Sequence, residues 1–202
     1  MATKRSTRAE KKAATREQLL AAAERIATRD GFARISIDRV AEEAGLTKGA
    51  FYSNFDSKDE LLLEVVARLT PGLDLTGELF SLPDLRAVLE YGAEALIQAS
   101  LKRRKEVVLA LEFETLAMRD RALKRALLAD RHWDDAATAP IRDWLDAHED
   151  EFPLPAEQYF EIVNAVAWGI LLRRLLFGAE RMSDDLMRWG LTRLLPWNSS
   201  DA

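Results

Sequence analysis

The chain of 202 residues contains no cysteine and has only two histidines, His132 and His148. Without cysteine there is no disulfide framework and no thiolate metal site, and this absence favours an intracellular protein. No apolar run approaches the roughly 20 residues that a membrane-spanning helix needs, and the basic start of the chain lacks the apolar core of a secretory signal. We therefore expect a cytoplasmic protein without a membrane partner.

The motifs of common enzymes are also missing from the sequence. We find no His-Glu-x-x-His pattern, no phosphate-binding glycine loop and no Gly-x-Ser-x-Gly turn around a nucleophile. Acid pairs such as Glu112 and Glu114 lie two residues apart on a predicted helix, so their carboxylates diverge and fit a solvated face better than a catalytic pair. We expect no enzyme, no metal site and no cofactor. Runs of β-branched residues with two-residue alternation are absent as well, which predicts an all-α fold.

Residues 36–55 carry the most informative pattern, which reads SIDRVAEEAGLTKGAFYSNF. Ser36 is placed to cap a short helix, Gly45 allows a tight turn, and Thr47 is placed to cap a second helix. That second helix has an apolar underside, Phe51 and Phe55, and a polar front. The pattern predicts a helix-turn-helix whose second helix lies in the major groove of DNA, although small helical hairpins of this kind also occur in proteins that never touch DNA.

The segments on both sides of this pattern complete a head of three helices and a fourth. Residues 16–29 are amphipathic with apolar residues at three- and four-residue spacing, and Gly31 follows as a candidate left-handed C-cap. Ser57 and Glu60 form the signature of a full capping box, which opens a helix through Leu61 to Val66. We predict a DNA-binding domain over residues 16–69.

This head resembles the tetracycline-repressor (TetR) family of transcriptional regulators. The resemblance extends without a gap from about Arg16 to Val66, and it rests on Asp30-Gly31-Phe32, Ile37 to Ala41, Ala44 to Gly49, Phe51-Tyr52, Phe55 and Lys58 to Leu62. One departure is Ser53-Asn54, where many members carry bulky aromatic residues or histidine. The family implies a second, helical domain that binds a small effector and releases DNA.

The DNA contacts are predicted on the second helix of the motif and at capped helix starts, where backbone N–H groups meet phosphates. Lys48 is expected to reach a guanine or a phosphate, and Tyr52 and Lys58 to hold phosphates. The candidate DNA-binding residues are Ser36, Thr47, Lys48, Gly49, Ala50, Tyr52, Ser53, Asn54, Ser57 and Lys58.

The charge is divided unequally along the chain. Residues 1–69 hold 13 Lys and Arg against 11 Asp and Glu, which gives +2, and residues 70–202 hold 16 against 23, which gives −7. Six basic residues and one acid fall in the first sixteen positions. We interpret residues 1–15 as a flexible basic arm, either a solvated tail or a segment that touches phosphates when DNA is bound.

Residues 70–202 are predicted to form a helical effector-binding and dimerisation domain. Residues 156–178 are apolar on most of the helix circumference and must be covered on several sides. Either the last two helices complete the core of a monomer, or they pair with a symmetry mate in a four-helix interface, which would match a palindromic operator. The predicted interface residues are Trp168, Leu172, Leu175, Leu176, Leu191 and Leu194.

Large or polar residues on otherwise buried faces are candidates for lining an effector cavity. For each of them, ordinary core packing or a satisfied buried polar group is the alternative. The candidate ligand-binding residues are Tyr91, Glu94, Gln98, Phe113, Trp133, Asn164 and Trp168.

The function predicted from the sequence is that of a dimeric transcriptional regulator that responds to an apolar or amphipathic small molecule. A repressor is favoured over an activator or a ligand-independent DNA-binding factor. The alternative of another class is a helical dimerisation module that does not read DNA.

Overall fold

The computed structural model describes residues 7–70, 82–129, 147 and 154–193 of the chain. Within these ranges the regular structure is helical, without a strand, as the sequence predicted. The elements are α1 (Arg8–Asp30), a 3-10 turn (Phe32–Arg34), α2 (Ile37–Ala44), α3 (Lys48–Tyr52), α4 (Lys58–Leu69), α5 (Leu85–Lys102), α6 (Arg104–Arg119), α7 (Arg121–Ala129), α8 (Ala156–Phe177) and α9 (Asp184–Arg193).

The start of α1 corrects one sequence prediction. The helix begins at Arg8 and not at Arg16, so residues 8–15 are its first two turns and not part of a flexible arm. A reciprocal capping box sets this start: Glu10 donates its backbone N–H to the Thr7 hydroxyl at 3.2 Å, and its carboxylate accepts the Thr7 N–H at 2.7 Å. The Thr-x-x-Glu pattern that signals such a box is present in the sequence, but it lies ahead of the apolar run that marks the rest of the helix.

The chain divides into two compact units. The first joins Met1–Pro71 to Val108–Asp130, and the second joins Gly72–Val107 to Arg131–Ala202. The domain boundary that we predicted between residues 69 and 70 stays a prediction. The compact unit that contains the head also includes α7 and most of α6. Long-range packing explains this extension, because the ring of Phe113 on α6 meets Phe32 edge to face at 5.5 Å between centroids.

The core of the first unit is formed by the inner faces of α1 and α4 and by the buried aromatic residues Phe32, Phe51 and Phe55. The residues less than 2 % exposed on these two helices include Leu19, Leu20, Ile26, Leu61 and Leu62. Burying a large apolar side chain of this kind contributes about 1.5–3 kcal/mol, so these residues are among the main contributors to the stability of the unit.

The second unit packs α5, α8 and α9 together. Gly190 on α9 permits a close crossing with α8, since a Cβ at this position would lie 2.9 Å from Ile170 Cδ1. The buried guanidinium of Arg174 ties the α8–α9 connection, donating to the Met182 carbonyl at 2.5 Å and to the Asp184 carboxylate at 2.7 Å. Arg188 on α9 pairs with Glu94 on α5 at 3.2 Å.

Candidate nucleic-acid interface

The predicted helix-turn-helix is present, and local hydrogen bonds define both of its helices. Ser36 Oγ accepts the N–H of Arg39 at 3.3 Å, and Thr47 Oγ1 accepts the N–H of Ala50 at 3.2 Å. Gly45 adopts the left-handed conformation (φ 67°, ψ 30°) that the turn requires, and the N–H of Leu46 returns to the Ala41 carbonyl at 2.8 Å. These contacts satisfy backbone groups that the ends of α2 and the start of α3 leave open.

Helix α3 has the two faces that the sequence predicted. Phe51 and Phe55 are at most 1 % exposed, and their rings stack with centroids 5.4 Å apart. On the opposite side, 61 % of Tyr52 is exposed, and Thr47 and Gly49 also face solvent. The buried aromatic pair thus serves as a platform that presents the front of α3 outwards.

Lys48, at the first position of α3, is not a free cation in this structure. Its ammonium group contacts the carboxylate of Asp38 in the first turn of α2, and both side chains are more than 60 % exposed. An exposed pair of this kind contributes little to stability, so a phosphate is able to displace the carboxylate from Lys48.

Ser53 and Asn54 turn their side chains back onto α3. The Ser53 hydroxyl donates to the Gly49 carbonyl at 2.8 Å, and the Asn54 amide donates to the Ala50 carbonyl at 2.7 Å. The other amide atom, Oδ1 of Asn54, is buried and accepts no hydrogen bond from the described part of the chain. Reading a base with Asn54 would therefore break an internal hydrogen bond first, and its DNA-binding role stays a prediction.

Arg16 is a residue of this region that the sequence reasoning missed. Its guanidinium lies 4.0 Å from the centroid of the Phe55 ring and donates to the Asn54 carbonyl at 2.5 Å. It also pairs with Glu60 at 2.9 Å and contacts the carboxylate of Glu64. Arg16 thereby fixes the end of α3 against α1 and α4. The signal for it was a basic residue on the apolar face of α1, three positions ahead of Leu19.

The start of α4 differs from the predicted full capping box. Ser57 Oγ accepts the N–H of Glu60 at 3.1 Å, but the Glu60 carboxylate accepts the N–H of Asp56 at 2.7 Å and not that of Ser57. Arg16 holds the other carboxylate oxygen, which explains the altered geometry. Lys58 is half-buried near Asp120, whose pKa is lowered mainly by hydrogen bonds from the N–H groups of Leu123 and Ala122, with a smaller contribution from Lys58.

The described candidate effector residues fall in both units. Phe113 belongs to the first unit, where it is core against Phe32, whereas Tyr91, Gln98 and Asn164 are half-buried residues of the second unit. Glu94 is exposed, with its carboxylate held by Gln98 at 3.0 Å and by Arg188. Trp168 is 36 % exposed, and Trp133 lies outside the described residues.

The structure corrects two residues of the predicted dimer interface. Leu175 and Leu191 are 7 % and 2 % exposed, so both are core of the second unit and not surface. Periodicity did not separate them from their neighbours, because α8 is apolar around most of its circumference. Trp168, Leu172 and Leu176 are exposed on α8 as an interface requires, and Leu194 lies outside the described residues.

Two further properties concern only the part of the chain that the structure describes. None of its helices combines the length and the apolar character needed to cross a membrane. In the same ranges, no three His, Asp or Glu side chains gather in a way that would hold a metal ion.

Comparison with known proteins assigns the head to a family. Residues 19–65 match the family described as bacterial regulatory proteins, tetR family. The uncharacterized HTH-type transcriptional regulator YerO of Bacillus subtilis (strain 168) is 42 % identical over 48 residues, which cover 24 % of this chain and 17 % of YerO. The match to this curated relative is therefore confined to about a sixth of its length.

Solved structures resemble nearly the whole chain. SCO7518 from Streptomyces coelicolor A3(2) is 25 % identical with a TM-score of 0.66, covering 90 % of this chain and 98 % of its own. The multidrug binding protein EbrR in complex with ethidium is 24 % identical with a TM-score of 0.67, covering 89 % and 97 %. A regulator from Saccharomonospora viridis in complex with choline is 24 % identical with a TM-score of 0.55, covering 89 % and 94 %.

The family match falls on the helices built above: the second half of α1, the capped α2 and α3, and most of α4. Its members are regulatory proteins and not enzymes, in agreement with the expectation from the motifs. Over residues 19–65 the chain thus matches the tetR family of bacterial regulatory proteins, and a solved transcriptional regulator shares the fold of nearly the whole chain.

Proposed function

We propose that this protein is a ligand-responsive, DNA-binding transcriptional regulator that acts as a homodimer, and most simply as a repressor. The observation that carries the proposal is the capped helix α3, whose front is exposed while Phe51 and Phe55 anchor its underside. A short exposed helix on a rigid platform is the geometry that enters a major groove.

Each DNA contact has a physical role in this proposal. Lys48 and the exposed N-terminal turn of α3 meet base edges and the nearby phosphates, and Tyr52 reaches the backbone beside them. The N-terminal N–H groups of α2 and α4, next to Ser36 and Ser57, suit phosphates because helix starts carry partial positive charge. Ala50 and Ser53 complete the predicted set on α3.

The dimer is supported by an apolar surface on α8 and α9. Trp168, Leu172 and Leu176 follow at four-residue intervals and are 36–66 % exposed, and Trp189 on α9 is 52 % exposed. Gly169 lies on the same face with open space where a Cβ would be, so a second helix is able to approach closely. A second copy of the chain would bury this surface and place two reading helices on a palindromic operator.

The effector is proposed to be a small molecule with an apolar body. Two proteins of the same fold were solved with ethidium and with choline, both organic cations, which supports a ligand of this size class. Tyr91, Gln98 and Asn164 on the second unit remain candidates for contacting it. Asn164 is half-buried in the described structure.

Selection of bound sequences from random duplexes, followed by salt titration of the selected operator, tests DNA binding. A regulator that contacts several phosphates loses affinity steeply as salt rises, with a slope of about 0.9 per phosphate neutralised. Lys58→Ala should weaken all duplexes alike and lower the slope by about one, whereas Lys48→Ala should also change the preferred sequence. A chain that enriches no sequence and dimerises without binding duplexes would be a helical interaction module.

A ligand screen for operator release separates the remaining possibilities. Release by ethidium, choline or a related cation supports a ligand-responsive repressor. Unchanged operator binding across the screen favours a ligand-independent factor, and transcription that rises on binding favours an activator.

A further inference from the structure

The first two turns of α1 continue the packed face of that helix beyond the head, with a change of chemistry. Leu19, Ala23 and Ile26 are at most 1 % exposed and lie on the side that meets the other head helices. Towards the N-terminus, Lys12 and Arg8 lie on the same side of the helix at three- and four-residue intervals, and Lys11 lies beside them. This face of α1 is thus apolar from Leu19 to Ile26, where other helices cover it, and basic over residues 8–12, where it is exposed.

The position of this basic stripe, Arg8, Lys11 and Lys12, is fixed by the next turn of the helix. Arg16 donates to the Asn54 carbonyl at 2.5 Å, just after the last residue of α3, and its guanidinium lies over Phe55. The eight residues from 8 to 15 rise about 12 Å along the helix axis. The stripe therefore extends from the end of the reading helix outwards.

The three cations are exposed, and they form no ion pair with any residue in the described part of the chain. The acid of this segment, Glu10, lies on the opposite side of α1 and is held by the capping box with Thr7. Because the segment is helical and capped, the charges keep a fixed spacing before any partner arrives. Three aligned, uncompensated cations suit a partner with regularly spaced negative charge.

We propose that Arg8, Lys11 and Lys12 bind the phosphate backbone of duplex DNA adjacent to the bases that α3 reads. This inference rests on the proposed function and adds a second phosphate-binding surface outside the helix-turn-helix. The rigid stripe lengthens the footprint on each half-site and raises affinity without reading sequence, because phosphate contacts carry no base information.

The test compares two double variants of the full chain that remove the same charge. Lys11→Ala with Lys12→Ala empties the stripe, and Lys102→Ala with Lys105→Ala removes two exposed lysines of the second unit. Alanine preserves the helix in both. The affinity for the selected operator and for an unrelated duplex is measured across a salt series.

The stripe variant is expected to lower the salt slope by about two on both duplexes, from about 0.9 per lost phosphate contact, while the control variant leaves the slope unchanged. A variant with Lys11→Arg and Lys12→Arg keeps both positive charges and should keep the wild-type salt slope. Equal slopes for the stripe variant and the wild type would overturn the inference and leave the proposed function standing. A wild-type protein that binds no duplex would overturn both.

A shortened operator without its flanks tests the position of the stripe. On this duplex the wild type and the stripe variant should have the same salt slope, and a difference that persists would contradict the flanking position.

Discussion

The ammonium group of Lys48, the first residue of α3, contacts the carboxylate of Asp38 in the first turn of α2. The pair joins the two helices of the reading motif at the end where backbone N–H groups are open to phosphate. Asp38 both occupies Lys48 and adds a negative charge to the face proposed to meet DNA. We therefore expect it to lower the affinity for DNA in general.

Asp38→Asn should raise the affinity for every duplex and steepen the salt dependence by up to about one, because Lys48 becomes available to a phosphate. Selectivity between the operator and unrelated DNA should fall, since the gain carries no base information. Fluorescence anisotropy titrations at several salt concentrations measure both quantities. Glu42→Gln is the matched control, because it removes an exposed acid of the same helix that forms no ion pair among the described residues. An equal gain in both variants would indicate a general charge effect and not the release of Lys48.

Gly31 is expected to be intolerant of a side chain. Its φ of +87° is strained for other residues, and an added Cβ would lie 2.8 Å from Glu112 Oε2. Gly31→Ala should lower the free energy of unfolding by about 1–3 kcal/mol, as measured in urea. Gly49→Ala is the control: its Cβ would meet no atom closer than 3.6 Å, and alanine favours the helix.

The cost at Gly31 has two parts, and a second background separates them. Glu112→Ala removes the carboxylate that also accepts the Phe32 N–H at 3.3 Å. If steric contact contributes, Gly31→Ala will cost less in the Glu112→Ala protein than in the wild type. An equal cost in both backgrounds would assign the whole effect to the backbone.

The parts of the fold that the sequence predicted correctly are those set by neighbouring residues. Ser36 and Thr47 cap α2 and α3 through residues three positions away, and Gly45 makes the turn with its own backbone. The errors arise where distant residues decide. Glu60 leaves its expected capping partner because Arg16, 44 positions earlier, holds its other oxygen.

Helix α8 shows the same limit for the proposed dimer surface. Its apolar residues surround the helix, so no periodicity distinguishes the side covered by α5 and α9 from the side that faces outwards. Only the packed structure separates buried Leu175 from its neighbour Leu176, which is 66 % exposed. The corrected surface changes which substitutions test dimerisation.

Leu176→Glu should dissociate the dimer while leaving the subunit folded, because the new carboxylate is solvated in the monomer but would be buried without a partner in the interface. Sedimentation velocity should show a species of half the mass, with helical content unchanged and operator affinity strongly reduced.

Leu128→Glu on α7 is the control, since Leu128 is 75 % exposed and lies outside α8 and α9. Leu175→Glu should instead unfold the second unit, at a cost of several kcal/mol. A Leu176→Glu protein that stays dimeric would move the interface away from this face.

Glu114 on α6 gives a prediction about pH. Burial raises the pKa of its carboxyl above the ordinary value of 4.5. A group whose folded-state pKa is raised favours the protonated form in the folded protein, so stability is lost as pH rises from 4.5 through the raised value and stays lower above it.

Glu114→Gln mimics the protonated form and should raise the free energy of unfolding at pH 7, with the difference from the wild type shrinking towards pH 4. Urea unfolding at a series of pH values measures this, and Glu42→Gln, which removes an exposed carboxylate, is the control. A Glu114→Gln protein that is less stable than the wild type at pH 7 would mean that the ionised carboxylate contributes a favourable contact in the folded state.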